Sequence, residues 1–253
     1  LQNGLIIDST GNPAVDSSTG FFRDSSSSFW SQGVVDGADV TLGGVAQNIW
    51  KNNKRNVYTY TGANPPAGSP VALYDFASNG GNAVTNADLA IGNPGDPALA
   101  ELVSWARGID TQNLVDPPGN SDPRHEMGDP IHTQPVAVIY GKNADGTDDT
   151  VVYVPTNDGY FHAIDASASP TGADTANSGT ELWSFIPKEM LPHLKDLYWD
   201  KPNPVKHYGL DGSITVLKYD VNGDGTISGN DKVILIFSTG RNADVSAYYA
   251  LDV

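Results

Sequence analysis

The sequence predicts a mainly β fold, and three observations support this prediction. After about residue 130, seven short runs of aliphatic and aromatic residues alternate with turn residues, and no long helical pattern interrupts them. The chain contains 27 Gly and 17 Pro, residues that are typical of turns. Of its 30 acidic residues only four are Glu, and Asp favours turns where Glu favours helix interiors. Strands at this density are typical of a sandwich, a barrel or a propeller.

Two segments share one design and indicate a repeated unit. In VVYVPTNDGYFHAID, two strands flank Asn157-Asp158-Gly159, which is a strong hairpin signal. VILIFSTGRNADVSAYYALDV likewise has an apolar strand, a polar turn with glycine and an aromatic strand ending in Asp, and Asp165 and Asp252 lie in matching places. Repeats of short strands predict propeller blades, and two blades leave the ring incomplete. We therefore predict a partial β-propeller.

The chain divides by composition into two parts. Residues 1–125 are predicted to form a loop-rich lead-in segment with short helices, and residues 126–253 the first blades of the propeller. Within the lead-in segment, RNVYTYTG reads as a strand, and VTLGGVAQNIW as a short helix with Val40, Val45 and Ile49 on one face. A second helix is predicted to begin at Asp96-Pro97 and to end at Gly108, with Trp105 off its apolar stripe and packed on another element.

Charge and composition exclude several classes of function. The formal net charge of −16 disfavours binding to nucleic acid or to an anionic membrane surface, since both need clustered Lys and Arg. The chain has no Cys, which excludes disulfides and thiolate sites. No apolar run reaches the roughly 18–20 residues of a membrane span. Residue 1 is Leu, not a start methionine, and the first residues lack the order of a signal peptide, so we expect a piece of a longer protein.

The strongest local signal is the stretch DVNGDGTISGND, residues 220–231, between two apolar runs. Its spacing is that of a 12-residue calcium loop, in which alternate side chains turn toward one centre and a glycine allows the sharp bend at position 6. The candidate ligands are Asp220, Asn222 and Asp224 at positions 1, 3 and 5, Thr226 at 7 through its carbonyl, Ser228 at 9 through a water, and Asp231 at 12.

Three interpretations of this stretch compete: an EF-hand, a dockerin-type loop and a polar hairpin turn. An EF-hand carries Glu at position 12 and helices on both sides, whereas here Asp231 is shorter and the flanks SITVLKY and KVILIF read as strands. A dockerin needs a second copy and helices, and the sequence offers neither. We predict a Ca²⁺ loop inserted between two strands.

The other polar clusters read as structural. Asn143, Asp145 and Asp149 in NADGTDD are too few for a full loop and indicate a solvated hairpin turn, with an ion as the alternative. RHEMGDPIH holds His125, Glu126, Asp129 and His132 without the spacing of a zinc helix. His162 beside Phe161 is predicted to be a core or interface histidine. We find no GxSxG, P-loop or GxGxxG motif in its required context and predict no catalytic residue.

Three longer motifs, all after about residue 100, occur in one order. They are LVSWARGID with RHEMGDPIHTQPVAV, then VVYVPTNDGYFHAIDA with GTELWSFIPKEMLPHLKDL, and finally STGRNADVSAYYALDV. The central motif resembles the PQQ-type, quinoprotein-like propeller repeat. Together the three resemble the type IV pilus tip-associated PilY family (PilY/PilC type) of assembly factors and adhesins.

The resemblance implies a non-enzymatic protein at the tip of a type IV pilus, exported by a bacterium and extracellular. It implies contacts with minor pilins, a role in pilus biogenesis and in controlling retraction, and attachment to host or abiotic surfaces. It also implies a calcium loop in this blade, with a ninth position that is commonly acidic where this chain has Ser228. Trp183 is expected to dock on the neighbouring blade, as in PQQ-type repeats.

Two other functions stay open at the level of sequence. A quinoprotein dehydrogenase would use the same blade repeat, but it needs a central pocket with basic and metal-ligating residues that we do not find. A calcium-dependent carbohydrate-binding module would share the acidic loops. Dye reduction in the presence of PQQ would identify the first, and a glycan array the second.

Overall fold

The fold is described by a computed structural model for most of the chain. It covers residues 4–28, 30–31, 35–37, 42–49, 55–63, 65, 70–114, 122–167, 178–200, 208–242 and 245–253. The helices in this part are α1 Gly44–Asn48, α2 Leu99–Ala106 and α3 Leu194–Trp199, with a 3-10 turn Leu191–His193 directly before α3. The strands are β1 Val57–Tyr60, β2 Tyr74–Asp75, β3 Val136–Lys142, β4 Asp148–Pro155, β5 Phe161–Asp165, β6 Glu181–Pro187, β7 Thr215–Tyr219, β8 Lys232–Ser238 and β9 Tyr248–Asp252.

The first sheet has six strands in the order β2-β1-β6-β5-β4-β3. Strands β3 to β6 form an antiparallel meander, and β1 extends it by pairing parallel to β6. The β4–β5 turn closes through hydrogen bonds from Thr156 N to Tyr160 O and from Gly159 N to Thr156 O. Gly159 has φ +89°, which a residue with a side chain rarely adopts. The predicted hairpin across residues 157–159 is confirmed.

The second sheet is the antiparallel meander β7-β8-β9. Alternate residues of β8 face the first sheet, and Val233, Leu235 and Phe237 are at most 1% exposed. The second hairpin predicted from the sequence is thereby confirmed as β8–β9. Asp165 and Asp252 are each the last residue of their strand, β5 and β9, as their matching places predicted.

The two sheets pack face to face through aromatic rings. Phe161 of β5 and Phe237 of β8 stack with ring centroids 4.2 Å apart, and Tyr249 of β9 stacks on Phe237 at 5.2 Å. Trp183 lies on the same face of the first sheet as Phe161. The aromatic rings that it contacts, those of Tyr153 and Phe161, belong to its own sheet. The ring stacking between the sheets is made by Phe161 and Phe237. Trp183 is partly buried against the shared core, and its docking on the neighbouring blade stays a prediction.

The described residues form a mainly β protein, as the sequence predicted, with few and short helices. They form two sheets and no closed barrel or closed propeller ring. The partial propeller therefore stays a prediction. None of the helices in the described ranges is long and apolar enough to cross a membrane.

The predicted helices exist, but the start of one is wrong. Helix α1 lies within the predicted stretch, while Val40 falls outside the described residues. Helix α2 begins at Leu99 instead of Asp96-Pro97. The reason is that Asp96 Oδ2 accepts hydrogen bonds from Gly92 N at 2.9 Å and Asn93 N at 2.8 Å, so its carboxylate closes the preceding turn and does not cap the helix. Trp105 packs on α3, as predicted, edge to face with Tyr198.

The lead-in segment and the later strands share one hydrophobic core. Val57 and Phe76 from the first part are fully buried with Phe161 and Phe237 from the second part. Strand β1 is tied to β6 by the backbone ladder and by Thr59 Oγ1, which donates to the carbonyl oxygen of residue 186 at 2.7 Å. The boundary at residue 125 thus marks a change in composition within one packed unit.

Candidate metal centre

The candidate site is the loop 220–231, which joins β7 to β8. Tyr219 and Lys232 form the last pair of the β7–β8 ladder, so the loop begins and ends on two adjacent antiparallel strands. Strands on both sides exclude an EF-hand and a dockerin in their usual helical setting, as the apolar flanks predicted. The β7–β8 ladder therefore holds the two ends of the loop at the spacing of adjacent strands.

The first half of the loop is a series of turns closed by side-chain oxygens. Asp220 Oδ1 accepts from Gly223 N at 2.7 Å, and its Oδ2 accepts from Gly225 N at 2.8 Å. Asn222 Oδ1 accepts from Asp224 N at 3.1 Å. Asp224 Oδ1 accepts from Thr226 N at 2.8 Å. The four donating amides are consecutive, from residue 223 to residue 226, and the side chains of positions 1, 3 and 5 are all turned onto this stretch of loop backbone.

Glycine is required where this series of turns bends. Gly223 has φ +71° and Gly225 has φ +83°, and a Cβ at either position would meet no other atom. The backbone conformation, not the space, therefore selects glycine here. Gly225 stands at position 6, where the spacing of a calcium loop predicts the sharp bend.

Asp231 closes the second half of the loop. Its Oδ1 accepts from Val221 N and its Oδ2 from Ser228 N, each at 2.8 Å. The carboxylate at position 12 is thus held against the first turn, and the loop forms a closed ring. Thr226 and Ser228 are exposed, and the structure shows no side-chain bond that would position their oxygens toward the other candidate ligands in the described part of the loop.

The middle of the loop is anchored to the first sheet. Ile227 N donates to the carbonyl oxygen of Tyr140 in β3 at 2.7 Å, and the Ile227 side chain packs against the core. Lys218, directly before the loop, donates from Nζ to the carbonyl oxygen of Ile139 at 2.7 Å. The loop is therefore attached to both sheets, and a change in its conformation would alter its hydrogen bond to β3.

The electrostatics of the loop favour a cation. Three carboxylates stand within 12 residues, and hydrogen bonds from loop amides, first of all from Gly225, lower the pKa of Asp220 below its ordinary value. The flanking lysines are engaged elsewhere, since Lys218 bonds to β3 and Lys232 pairs with Asp252 at 2.5 Å. An ionised carboxylate oxygen that accepts one N–H keeps a second lone pair, which a hard cation such as Ca²⁺ can use.

The carboxylates of the loop do not converge on one point in this conformation. Among the described residues, no three His, Cys, Asp or Glu side chains lie close enough together to hold a metal ion. The donors of Asp220, Asn222, Asp224, Thr226, Ser228 and Asp231 are of the right chemistry for Ca²⁺. The side-chain oxygens of Asp220, Asn222, Asp224 and Asp231 accept from backbone amides, and ion binding would require these side chains to turn inward.

The second acidic stretch forms the β3–β4 hairpin turn. Asp145 Oδ1 accepts from Thr147 N at 3.0 Å, and Asn143 N donates to Thr147 O at 2.8 Å. Asp148 pairs with Lys142 at 2.6 Å on the exposed surface. Asn143, Asp145 and Asp148 are thus bonded within the hairpin, as a hairpin turn predicts, and Asp149 lies in β4 opposite Gly141.

The polar residues of the stretch RHEMGDPIH do not form one cluster and contact different parts of the fold. Glu126 pairs with Arg124, and the carbonyl oxygen of Asp129 accepts from Asn157 N at 3.1 Å. His132 Nδ1 lies 2.8 Å from the buried carboxylate of Asp211. Sequence reasoning did not identify Asp211 as the partner of His132, since 79 residues separate them and no motif joins them.

His162 is a buried histidine with both ring nitrogens satisfied. It is 1% exposed, its Nδ1 lies 2.7 Å from Glu181 Oε1, and its Nε2 lies 3.1 Å from Thr156 Oγ1. The ring of Tyr160 stacks on it with 14° between the planes. The core interpretation of His162 is confirmed, because a fully enclosed ring that is bonded on both sides has no access to a substrate.

No protein-family model, curated protein or solved structure shows significant similarity to the chain.

Proposed function

We propose that this chain is part of a non-enzymatic, type IV pilus tip-associated assembly factor and adhesin, and that loop 220–231 binds Ca²⁺. The three ordered motifs of residues 100–253 support the family assignment. The two antiparallel meanders, which pack face to face, fit the first blades of a PQQ-like β-propeller. In this role the protein acts outside the cell, at the pilus tip, with minor pilins and a host or abiotic surface as its partners.

One observation carries the calcium assignment. Side-chain oxygens at positions 1, 3 and 5 lie in consecutive turns of a 12-residue loop that two adjacent strands hold at its ends. A polar connection of two strands needs only a few residues, whereas this one places an oxygen at each position that a calcium loop uses. Hard oxygen donors and no nitrogen or sulfur donors favour Ca²⁺ over transition metals.

Calcium binding would order the loop and stabilise the junction between the sheets. A ligand that binds the folded state stabilises it by mass action, and the bond from Ile227 N to Tyr140 O carries this effect to β3. At the pilus tip, filling and emptying of the site would then alter adhesion or retraction.

The calcium assignment is tested by isothermal titration with the intact chain. The wild-type protein should take up one Ca²⁺, and Asp220→Ala/Asp224→Ala should lose that binding. The matched control is Asp145→Ala/Asp149→Ala in the β3–β4 turn, which should bind as the wild type does. Equal affinity of the wild type and the 220/224 variant would refute the assignment.

The pilus-tip function needs a separate measurement. Immobilised wild-type chain should capture purified minor pilins in buffer with Ca²⁺ and release them when a chelator is added. The 220/224 variant should capture little in either buffer, as the wild type does with chelator, while the 145/149 control should behave as the wild type in both. Capture by none of the minor pilins would count against the pilus assignment, whatever the calcium titration shows.

A further inference from the structure

The lead-in segment contains a cleft that is separate from the candidate metal centre. We call it the lead-in cleft. The described residues that line it lie within three stretches of chain, 6–9, 14–22 and 26–37, and its volume is about 430 Å³. Sites that bind small molecules usually have volumes of roughly 300–1,000 Å³. The lead-in cleft is therefore large enough for a small organic ligand.

Two short hairpins supply one part of the lining. They are closed by the bridges Ile7–Pro13 and Val15–Phe22. Ala14 stands between the two bridges and joins the hairpins, since its N donates to Ile6 O and its carbonyl oxygen accepts from Arg23 N, each at 2.9 Å. Ala14 is only 4% exposed. The two hairpins are thus fixed to each other where they line the cleft.

The stretch 26–37 is bonded to these hairpins and to itself. Ser26 Oγ donates to the carbonyl oxygen of Ala14 at 2.9 Å. Asp36 N donates to the carbonyl oxygen of Ser26 at 3.0 Å, and Asp36 Oδ1 accepts from Ser28 N at 2.7 Å. Because hydrogen bonds hold each of its walls, the cleft is formed before any ligand binds.

Two of the apolar residues that line the cleft are open to solvent. Phe22 is 60% exposed and Ile6 is 51% exposed. A ligand that covers these side chains removes apolar area from water, and the gain in free energy is proportional to that area. The cleft therefore offers an apolar surface to the body of a ligand.

The ionisable side chains among the described lining residues are both acidic. They are Asp8 and Asp36, and none of these lining residues is Lys, Arg or His. The side-chain hydrogen bond from Thr10, more than any other influence, lowers the pKa of Asp8 below its ordinary value, so this carboxylate is ionised at neutral pH. Arg23 is not a lining residue, and its Nε donates to the carbonyl oxygen of Val15 at 3.3 Å. The lining of the cleft is therefore negatively charged.

The charge and the apolar surface together select one class of ligand. The carboxylates repel an anion, and a neutral molecule leaves their charge unused. A bare metal ion makes no use of the apolar side chains. An ammonium group on an apolar body uses both features, and it can also interact with the face of an aromatic ring such as that of Phe22.

We propose that the lead-in cleft binds a small organic amine, in which an ammonium group is carried on an apolar body. The ammonium group would interact with the carboxylates of Asp8 and Asp36, and the body would cover Phe22 and Ile6. The proposal is independent of calcium binding by loop 220–231 and of the pilus assignment.

The test compares three probes that have the same shape and different charges: phenethylammonium, phenethyl alcohol and hydrocinnamate. Heteronuclear NMR titration of the intact chain detects weak binding, and the backbone amides of Ala14, Ser26 and Ser28 should report it. A chelator in the buffer removes any effect of Ca²⁺. We expect the amine to bind about tenfold more tightly than the alcohol, because it forms two exposed ion pairs, and hydrocinnamate should not bind.

Asp8→Asn/Asp36→Asn removes both charges but keeps the side-chain oxygens that accept hydrogen bonds. This variant should lose about tenfold in affinity for the amine and bind it no more tightly than the alcohol. The matched control is Asp16→Asn. Asp16 accepts from Ser18 N in the turn of the second hairpin, as Asp8 accepts from Thr10 N in the first, but it does not line the cleft. Asp16→Asn should bind the amine as the wild type does.

A second pair of variants tests the apolar surface. Phe22→Ala should weaken the binding of the amine and of the alcohol alike. Phe21→Ala is its control, because Phe21 is 77% exposed and does not line the cleft, and it should bind both probes as the wild type does. Added NaCl tests the charge without any variant. It should weaken binding of the amine by the wild type and leave binding of the alcohol unchanged, since salt screens exposed charges.

Three results would overturn the proposal. Equal affinity of the wild type for the amine and the alcohol would show that the carboxylates do not select a cation. Unchanged amide signals of the cleft at the highest soluble amine concentration would show that no such site exists. Tighter binding of a lysine-containing peptide than of the amine would assign the cleft to a basic side chain of another protein.

Discussion

Arg55 and Glu181 form a buried, two-pronged ion pair at the join between the lead-in segment and β6. Arg55 Nε and Nη2 donate to the two carboxylate oxygens of Glu181, each at 2.8 Å. Their side chains are 4% and 0% exposed. The Arg55 guanidinium also lies over the ring of Tyr160, 5.1 Å from its centroid, and Glu181 Oε1 holds His162. A single buried contact thus links the residue two positions before β1 to β5 and β6.

Removing one partner of this pair should be strongly destabilising. We expect Arg55→Met to lower the free energy of unfolding by about 3–5 kcal/mol, because it leaves the Glu181 carboxylate buried without its countercharge. The measurement is urea denaturation followed by circular dichroism. The matched control is Lys142→Met, which removes the exposed pair with Asp148 and should cost about 0–1 kcal/mol. Equal losses in the two variants would contradict this account of the pair.

The ion pair also predicts how stability depends on pH. Burial alone would raise the pKa of Glu181, but the charge and hydrogen bonds of Arg55, with a hydrogen bond from His162, lower it to about 2. Because the folded pKa lies below the ordinary value of 4.5, the stabilisation is complete above pH 4.5 and is lost as the pH falls toward 2. Glu181→Gln should lack this contribution, so its difference in stability from the wild type should shrink between pH 4.5 and 2. A difference that stays constant over this range would show that Glu181 is not held ionised by its partners.

The stacking of Phe161 on Phe237 should dominate the contact between the sheets. Phe237→Ala should cost about 3–5 kcal/mol of unfolding free energy, since the ring is 1% exposed and its loss leaves a cavity. Tyr248→Ala, at an aromatic position on the opposite face, should change stability by no more than about 0.5 kcal/mol in the chain alone. Denaturant titration measures both losses of unfolding free energy. A larger loss for Tyr248→Ala than for Phe237→Ala would contradict the assignment of Phe237 to the buried face and Tyr248 to the exposed face.

Gly159 in the β4–β5 turn should not tolerate a side chain. Its φ is +89°, and a Cβ would lie 2.9 Å from Met190 Cβ. We expect Gly159→Ala to cost about 2–3 kcal/mol, from backbone strain together with this close contact. Gly146 has φ +85° with open space around it, so Gly146→Ala should carry the strain alone and cost about 1 kcal/mol. Thermal denaturation of both variants would measure the two losses of stability. Equal losses would show that the close contact with Met190 contributes nothing to the cost of Gly159→Ala.

Removal of calcium should destabilise the protein if loop 220–231 holds the ion. At a free Ca²⁺ concentration one hundred times the dissociation constant, binding stabilises the folded state by about 2.7 kcal/mol. A chelator should therefore lower the Tm of the wild type by several degrees, and Asp220→Ala/Asp224→Ala should show no such change. A Tm of the wild type that is the same with Ca²⁺ and with chelator would speak against an ion in the loop.

Local patterns predicted the later strands because each strand is short, apolar and bounded by turn residues. The hairpins around residues 157–159 and between β8 and β9 could be predicted, since their turn chemistry is local. The start of α2 could not, because the choice of Asp96 between capping the helix and closing the turn at Gly92 depends on the folded loop. The pairing of β1 with β6 could not either, since it joins residues 127 apart, such as Val57 and Ser184.

The candidate site divides in the same way. The identity and spacing of its oxygen donors, from Asp220 to Asp231, are properties of one contiguous stretch, so they could be predicted from local sequence together with the strands on both sides. The bond from Ile227 to Tyr140 and the engagement of Lys218 and Lys232 away from the loop exist only in the folded chain. Hydrogen bonds within a turn join near neighbours in the chain, so local sequence specifies them. Contacts between sheets join residues that come together only when the whole chain folds.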